Sequence, residues 1–235
     1  MSHFLKVLNS QVGRKALVAV SGLLLVGFII THLLGNLSLY LPEGTAFNAY
    51  ALKLKDFGPL FYVGEVVLLS LFAAHALLAI GVTMKNKQAR PVRYQGGYRS
   101  KGGPSHWNLS STKMIVTGGL LLFFLVAHVL QFRFGPGVAE GYVTEIDGRM
   151  TRDLYRLVVE TFSQPLYTIF YVFAMFLMGL HVRHGFWSAF QSLGAAHPKY
   201  TKMIHGLGVC LALILAAGFL FIPVWIYFDM AEVLR

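Results

Sequence analysis

Charge is what this sequence has least of. Only 13% of its 235 residues are Asp, Glu, Lys or Arg, while 56% are hydrophobic; an ordinary soluble domain is about 25% charged. With a mean hydropathy of +0.61, that deficit excludes a conventional soluble domain and points to a membrane protein. Cysteine is nearly missing. Cys210 stands alone in an apolar run, which excludes an intrachain disulfide, a thiolate cluster and a C-x-x-C-H haem attachment. Low-complexity tracts are missing too, so residues 1–235 are read as one transmembrane domain. The first 15 residues lack a signal-peptide layout ending in small residues, so the first apolar run is expected to be a retained helix.

What is present is a set of five apolar runs, Ala16–Leu39, Pro59–Met84, Met114–Phe132, Pro165–Phe190 and Met203–Tyr227. Each is long enough to span a bilayer, which takes about 20 helical residues. They are called spans I to V. The expected fold is therefore an all-α membrane protein with five transmembrane helices. Polar segments separate them, most clearly Tyr94–Asn108 and the acidic Gly137–Asp153, both read as linkers. The segments before span I, between II and III, and between IV and V contain no acidic residue. They carry Lys6, Arg14, Lys15, Lys85, Lys87, Arg90, Arg93, Arg99, Lys101, Lys113, Lys199 and Lys202. The positive-inside rule puts that side, and the N-terminus, in the cytoplasm. The net charge of +10 is thus a topology signal, and no nucleic-acid-binding module accompanies it.

Spans I to IV each hold a histidine at membrane depth: His32, His75, His128 and His181. Ionisable residues inside a span are rare and usually functional. Odd spans run outward and even spans inward. His32 lies about 22 Å from the cytoplasmic end of its helix, and His75 about 24 Å from the outer end of its own. His128 matches His32, and His181 matches His75. The expectation is two layers, His32 with His128 toward the outside and His75 with His181 toward the cytoplasm, about 15 Å apart.

An internal repeat gives the same pairing. Ser21-Gly22 through His32 corresponds to Thr117-Gly118 through His128, and Pro59 leads to His75 as Pro165 leads to His181. Spans I–II and III–IV therefore read as two copies of one helical hairpin. Gly22 and Gly118 suit close helix packing and also leave room for a flat macrocycle. Two imidazoles facing each other across a bundle, twice, suit two b haems with both axial positions filled, a state for electron transfer rather than oxygen chemistry. Zinc is less suited, because no acid or thiol stands at these depths to complete a third or fourth ligand.

The stretches "GRKALVAVSGLLLVGFIITHLLGNL", "FAAHALLAI", "TKMIVTGGLLLFFLVAHVLQF" and "LHVRHGFWSAFQSLG" carry a family resemblance over essentially the whole chain. The chain resembles the cytochrome b membrane-anchor subunit of bacterial succinate dehydrogenases and fumarate reductases, the five-helix, di-haem kind, a part of respiratory complex II. The resemblance implies a multi-pass protein of the bacterial inner membrane holding two haem b. His75 and His181 would ligate the inner haem, and His32 and His128 the outer. It also implies a flavoprotein and an iron–sulfur subunit docked on the cytoplasmic face. A membrane quinone, menaquinone being expected, would exchange electrons within this subunit. The resemblance also leaves open a higher oligomer of the complex.

Other residues are weighed around that frame. Glu65, the one acid within a span, is a candidate for proton or quinone chemistry, with an interfacial carboxylate as the plainer reading. Some relatives carry a carboxylate just before the inner-haem histidine of span IV; here Met178-Gly179-Leu180 stand there, so that proton route is not expected. Arg14, Lys15, Arg93, Lys113 and Arg183 could meet haem propionates or a partner, and each is otherwise a snorkelling interface residue. Trp107, Trp187 and Trp225 fit an aromatic belt, and Trp187 could also edge the inner haem. His205 is a further candidate for a quinone or propionate. His184, three residues after His181, has no counterpart in the repeat, where Leu78 stands, and is read as a polar neighbour of a propionate or of the partner. Two alternatives stay open: a cytochrome b subunit of a formate dehydrogenase, hydrogenase or nitrate reductase, and a transporter with histidines as proton relays.

Overall fold

The computed structural model describes residues 10–41, 44–89, 99–100, 103–104, 114–195 and 197–230. It is mostly helical. Helix α1 (Gln11–Asn36) opens on Ser10, whose Oγ accepts from the Gly13 N–H at 3.0 Å, and runs into a 3₁₀ turn, Leu37–Tyr40. Helix α2 (Thr45–Asp56) follows Gly44, and α3 (Pro59–Gln88) begins directly on proline, whose missing N–H costs nothing in a first turn. A minimal pair, β1 (Arg99–Ser100) and β2 (Gly103–Pro104), precedes α4 (Met114–His128), which continues as a π-helical turn, Val129–Arg133. An antiparallel hairpin of β3 (Val143–Ile146) and β4 (Arg149–Arg152) leads to α5 (Leu154–Phe162), α6 (Pro165–Ser192) and α7 (Pro198–Trp225).

Among the described residues, five helices are long and apolar enough to cross a membrane: Gln11–Tyr40, Pro59–Gln88, Met114–Arg133, Pro165–Ser192 and Pro198–Asp229. The chain is a multi-pass membrane protein. These helices contain the five runs read from the sequence. The fifth starts at Pro198 rather than Met203, because the His197 ring nitrogen accepts from the Lys199 N–H at 3.2 Å and caps it. Linker Tyr94–Asn108 falls mostly outside the described residues.

The other linker is a correction. Gly137–Asp153 folds, and with α2 and α5 it forms a cap over one end of the bundle. Asn48 is its pivot. It is buried, its Nδ2 donates to Asp153 Oδ1 at 2.8 Å, and its Oδ1 accepts from the Tyr155 N–H at 3.0 Å. Asp153 in turn caps α5 through the Arg156 N–H at 3.0 Å. Arg152 donates to the carbonyls of Phe132, Gly135 and Pro136 at 2.8–3.0 Å. It thus satisfies carbonyls left open where α4 ends and places a cation against the negative end of the helix. Glu160 accepts from the Tyr142 hydroxyl at 2.5 Å and from Arg156 at 2.7 Å. Those bonds, the phenol's first, hold its carboxyl below the usual range. Gly44 sits at φ +67°, and a Cβ there would fall 2.1 Å from the Tyr155 ring, so glycine is required by both backbone and space.

Packing is uneven. Helices α6 and α7 pair most extensively, with Gly179 so close to α7 that a Cβ would lie 2.9 Å from that of Ala216. The core runs from this pair into the cap, through Leu39, Phe47, Phe162, Met175, Leu215 and Ile226. Helix α1 lies between α3 and α6, and α4 rests on α6. Yet α3 has no buried residue, and α4 buries only Thr117. Tight apolar packing is therefore confined to one side of the bundle.

Truncating Asn48 to alanine strips two partners from buried groups and should cost about 1–3 kcal/mol. Denaturant unfolding of the detergent-solubilised chain measures this; an unchanged midpoint would mean that the cap does not depend on Asn48.

Candidate functional site

The four histidines of the spans stand on four different helices, His32 on α1, His75 on α3, His128 on α4 and His181 on α6. His32 and His128 meet. Their ring centres are 5.9 Å apart and their planes cross at 81°. Each ring is backed by a phenylalanine one turn earlier on its own helix, Phe28 at 5.4 Å and Phe124 at 5.7 Å, both stacked. Phe219 of α7 closes on His32 at 5.6 Å, and Phe132 on His128 at 5.4 Å.

His75 and His181 are each held by the neighbouring helix in the same way. Ser21 Oγ lies 3.1 Å from His75 Nδ1, and Thr117 Oγ1 lies 3.2 Å from His181 Nδ1. The next residue is glycine in both cases. A Cβ on Gly22 would sit 3.0 Å from His75 Cε1, and one on Gly118 would sit 3.2 Å from His181 Cε1. The imidazole therefore lies against bare backbone, with a hydroxyl at its Nδ1. From Ser21 to His32 and from Thr117 to His128 the helices advance equally in sequence, by about 16 Å of rise, so the hydroxyl steps and the His32–His128 contact mark two depths.

His128 has a hydroxyl partner too. Its Nδ1 is 3.3 Å from the Tyr171 hydroxyl of α6, which donates to Gln131 Oε1 at 2.9 Å. Gln131 Nε2 donates onward to Thr161 in α5 at 3.3 Å. A chain of polar contacts thus runs from the histidine into the cap. His32 differs. Asn36 Nδ2 donates to the His32 carbonyl at 2.7 Å and lies 3.4 Å from its Nδ1.

Glu65, a lone acid when only the sequence is read, has a partner. It accepts from Arg133 through both carboxylate oxygens, at 2.5 and 3.0 Å, which ties α3 to the end of α4. His184 is half-buried one turn beyond His181. Trp187 stacks on His205 of α7 at 3.8 Å, so these two candidates form one contact between α6 and α7. Trp225 packs against Tyr40 at 4.8 Å, and Arg14 and Arg183 lie in α1 and α6. Arg93, Lys113 and Trp107 fall outside the described residues.

The residues that sequence reasoning missed are the partners, Ser21, Thr117, Tyr171, Gln131 and Arg133. A signal for two of them existed, since Ser21 and Thr117 hold equivalent places in the repeat beside the glycines. Phe28 and Phe124 share the same register and were equally available.

Comparison of the chain with family models, with curated proteins and with solved structures gives no match.

The bidentate pair predicts strong coupling. Arg133→Gln leaves the Glu65 carboxylate without its counter-ion at a helix junction and should lower the unfolding midpoint, whereas Glu65→Gln with Arg133→Gln should recover part of the loss. A double-mutant cycle measures this coupling, expected at about 0.5–1 kcal/mol for a bidentate pair with both side chains a third or more exposed; strictly additive effects would show that the pair does not hold α3 to α4.

Proposed function

We propose that this chain is the membrane anchor and di-haem electron-transfer subunit of a succinate:quinone oxidoreductase, in which His75 and His181 hold the inner haem b and His32 and His128 the outer. One observation carries the reading: the same hydroxyl–glycine step, Ser21-Gly22 and Thr117-Gly118, seats both His75 and His181. This supports two repeated hairpins, α1 with α3 and α4 with α6, building one haem-binding bundle.

The residues fit the group. The glycine steps are cradles that a Cβ would fill, so each leaves one imidazole flat against backbone. His32 and His128, with ring centres 5.9 Å apart on different helices, would together hold one such group. Bound there, two b haems would supply reversible one-electron transfer at two depths of the membrane.

The protein's own part is to hold these pairs at fixed separation, to back them with Phe28, Phe124 and Phe219, and to keep water out. The acid-free segments form the cytoplasmic face in this reading, where a flavoprotein and an iron–sulfur subunit would dock, and the cap of α2, β3–β4 and α5 lies on the outer face of a bacterial inner membrane. Quinone, menaquinone being expected, would exchange electrons within the membrane. Glu65 stays a candidate for the proton that accompanies this, now as half of an ion pair with Arg133.

The purified chain is expected to show a reducible b-type spectrum with two haems per chain. His181→Ala should remove one haem, and His184→Ala should remove none. A colourless, folded protein would refute the haem reading. Affinity isolation from the native membrane should bring down a flavoprotein and an iron–sulfur protein, and their absence would refute the complex assignment.

A further inference from the structure

The hydroxyls that meet the histidines have one proton each, and each has a carbonyl or amide oxygen within reach to take it. Ser21 Oγ lies 2.8 Å from the Leu17 carbonyl and 3.1 Å from that of Val18, and donates there. Thr117 Oγ1 donates to the Met114 carbonyl at 3.1 Å. Tyr171 donates to the amide oxygen of Gln131 at 2.9 Å, with Gln131 Nε2 turned toward the Thr161 hydroxyl at 3.3 Å. Carbonyl oxygens can only accept. With that proton on the carbonyl, each hydroxyl oxygen has only lone pairs to offer toward His75, His181 and His128. Each contact, at 3.1, 3.2 and 3.3 Å respectively, then requires the proton on the imidazole Nδ1.

We infer that Ser21, Thr117 and Tyr171 are positioning residues that lock three of the four span histidines in the Nδ1–H tautomer, so that Nε2 is the free, ligating nitrogen. This rests on the haem reading for what Nε2 binds, but not for the lock itself. A ring N–H held by an acceptor also makes the opposite nitrogen a better donor, so the same hydroxyls set how strongly the ferric state is favoured. His32 lies outside the scheme. Asn36 offers it only N–H groups, which cannot accept a ring proton. The inner pair is thus locked on both sides and the outer pair on one.

The test uses the full chain labelled with ¹⁵N-histidine, held in the reduced state. His75, His181 and His128 should each carry their proton on Nδ1, and Ser21→Ala, Thr117→Val and Tyr171→Phe should each move one of those three signals and leave the other two in place. Ser21→Thr and Thr117→Ser, which keep the hydroxyl, should restore the parent spectrum. Redox titration of the same variants gives the second readout. Loss of one acceptor should shift the reduction equilibrium of one haem toward the ferrous form by about three- to tenfold, or about 30–60 mV at 59 mV per decade for one electron. Ser21 and Thr117 should act on one haem, and Tyr171 on the other. A proton on Nε2 of His75 or His181 overturns the proposal whether or not haem is bound. So do potentials unmoved in all three hydroxyl-free variants that retain both haems. A chain with the Nδ1–H tautomers but no haem would instead refute the proposed function and leave the lock standing.

Discussion

A neutral imidazole inside an apolar bundle must find an acceptor for its one ring proton, and the architecture around the histidines follows from that need. Leaving such a donor without a partner costs on the order of 1–3 kcal/mol, and water is scarce at these depths. Ser21, Thr117 and Tyr171 answer the need from neighbouring helices. The answer also decides which helices must touch. Ser21 binds α1 to α3, while Thr117 and Tyr171 bind α4 to α6. Since α3 buries no residue of its own, contacts of this kind, with the Glu65–Arg133 pair, have to position it.

The loosely packed helices and the tight ones divide the work. Apolar side chains turned to lipid carry no penalty, because hydrocarbon is as good a neighbour as another leucine. Helices α3 and α4 can therefore spend their inward faces on histidines rather than on a core. Rigidity comes from elsewhere: the close approach of α6 to α7 at Gly179 and Ala216, and the cap, where Asn48, Asp153 and Arg152 join four separate segments by directed bonds. The chain Thr161–Gln131–Tyr171–His128 shows the connection between the two. It anchors a histidine inside the membrane to a helix of the cap.

Legibility in the sequence followed the strength of the physical signal. Long apolar runs need no partner to be recognised, and all five were found with small errors at their ends. The fifth began early because His197 caps it, a local bond that hydropathy does not register. The cap was missed because its elements are short and polar: α2 carries Lys53, Lys55 and Asp56, and β4 carries Arg149 and Arg152, all of which read as linker. Depth and register paired His32 with His128, and these two rings lie 5.9 Å apart. The hydroxyls were not legible. A serine or threonine in an apolar run reads as a small packing residue, and only coordinates show its oxygen set between a carbonyl of the preceding turn and a histidine of the neighbouring helix. Glu65 and Arg133 are far apart in sequence, so nothing local joins them.

The register of the proposed repeat also shows where its two halves part. Helix α6 follows α3 at the offset that carries His75 onto His181, and the same offset carries Glu65 onto Tyr171. In one half this position supplies a phenol to His128; in the other it supplies a carboxylate that turns to Arg133 instead. A carboxylate beside a ring N–H would pull far harder on that proton than a phenol does. With Arg133 claiming both of its oxygens, Glu65 is held to a different task, and His32 is left to Asn36, Phe28 and the approaching Phe219 of α7. At His75 and His181 the two halves match, a hydroxyl and a glycine facing each ring. At His32 and His128 they differ, because Phe219 of the fifth helix closes on one ring and the Tyr171–Gln131–Thr161 chain joins the other to the cap.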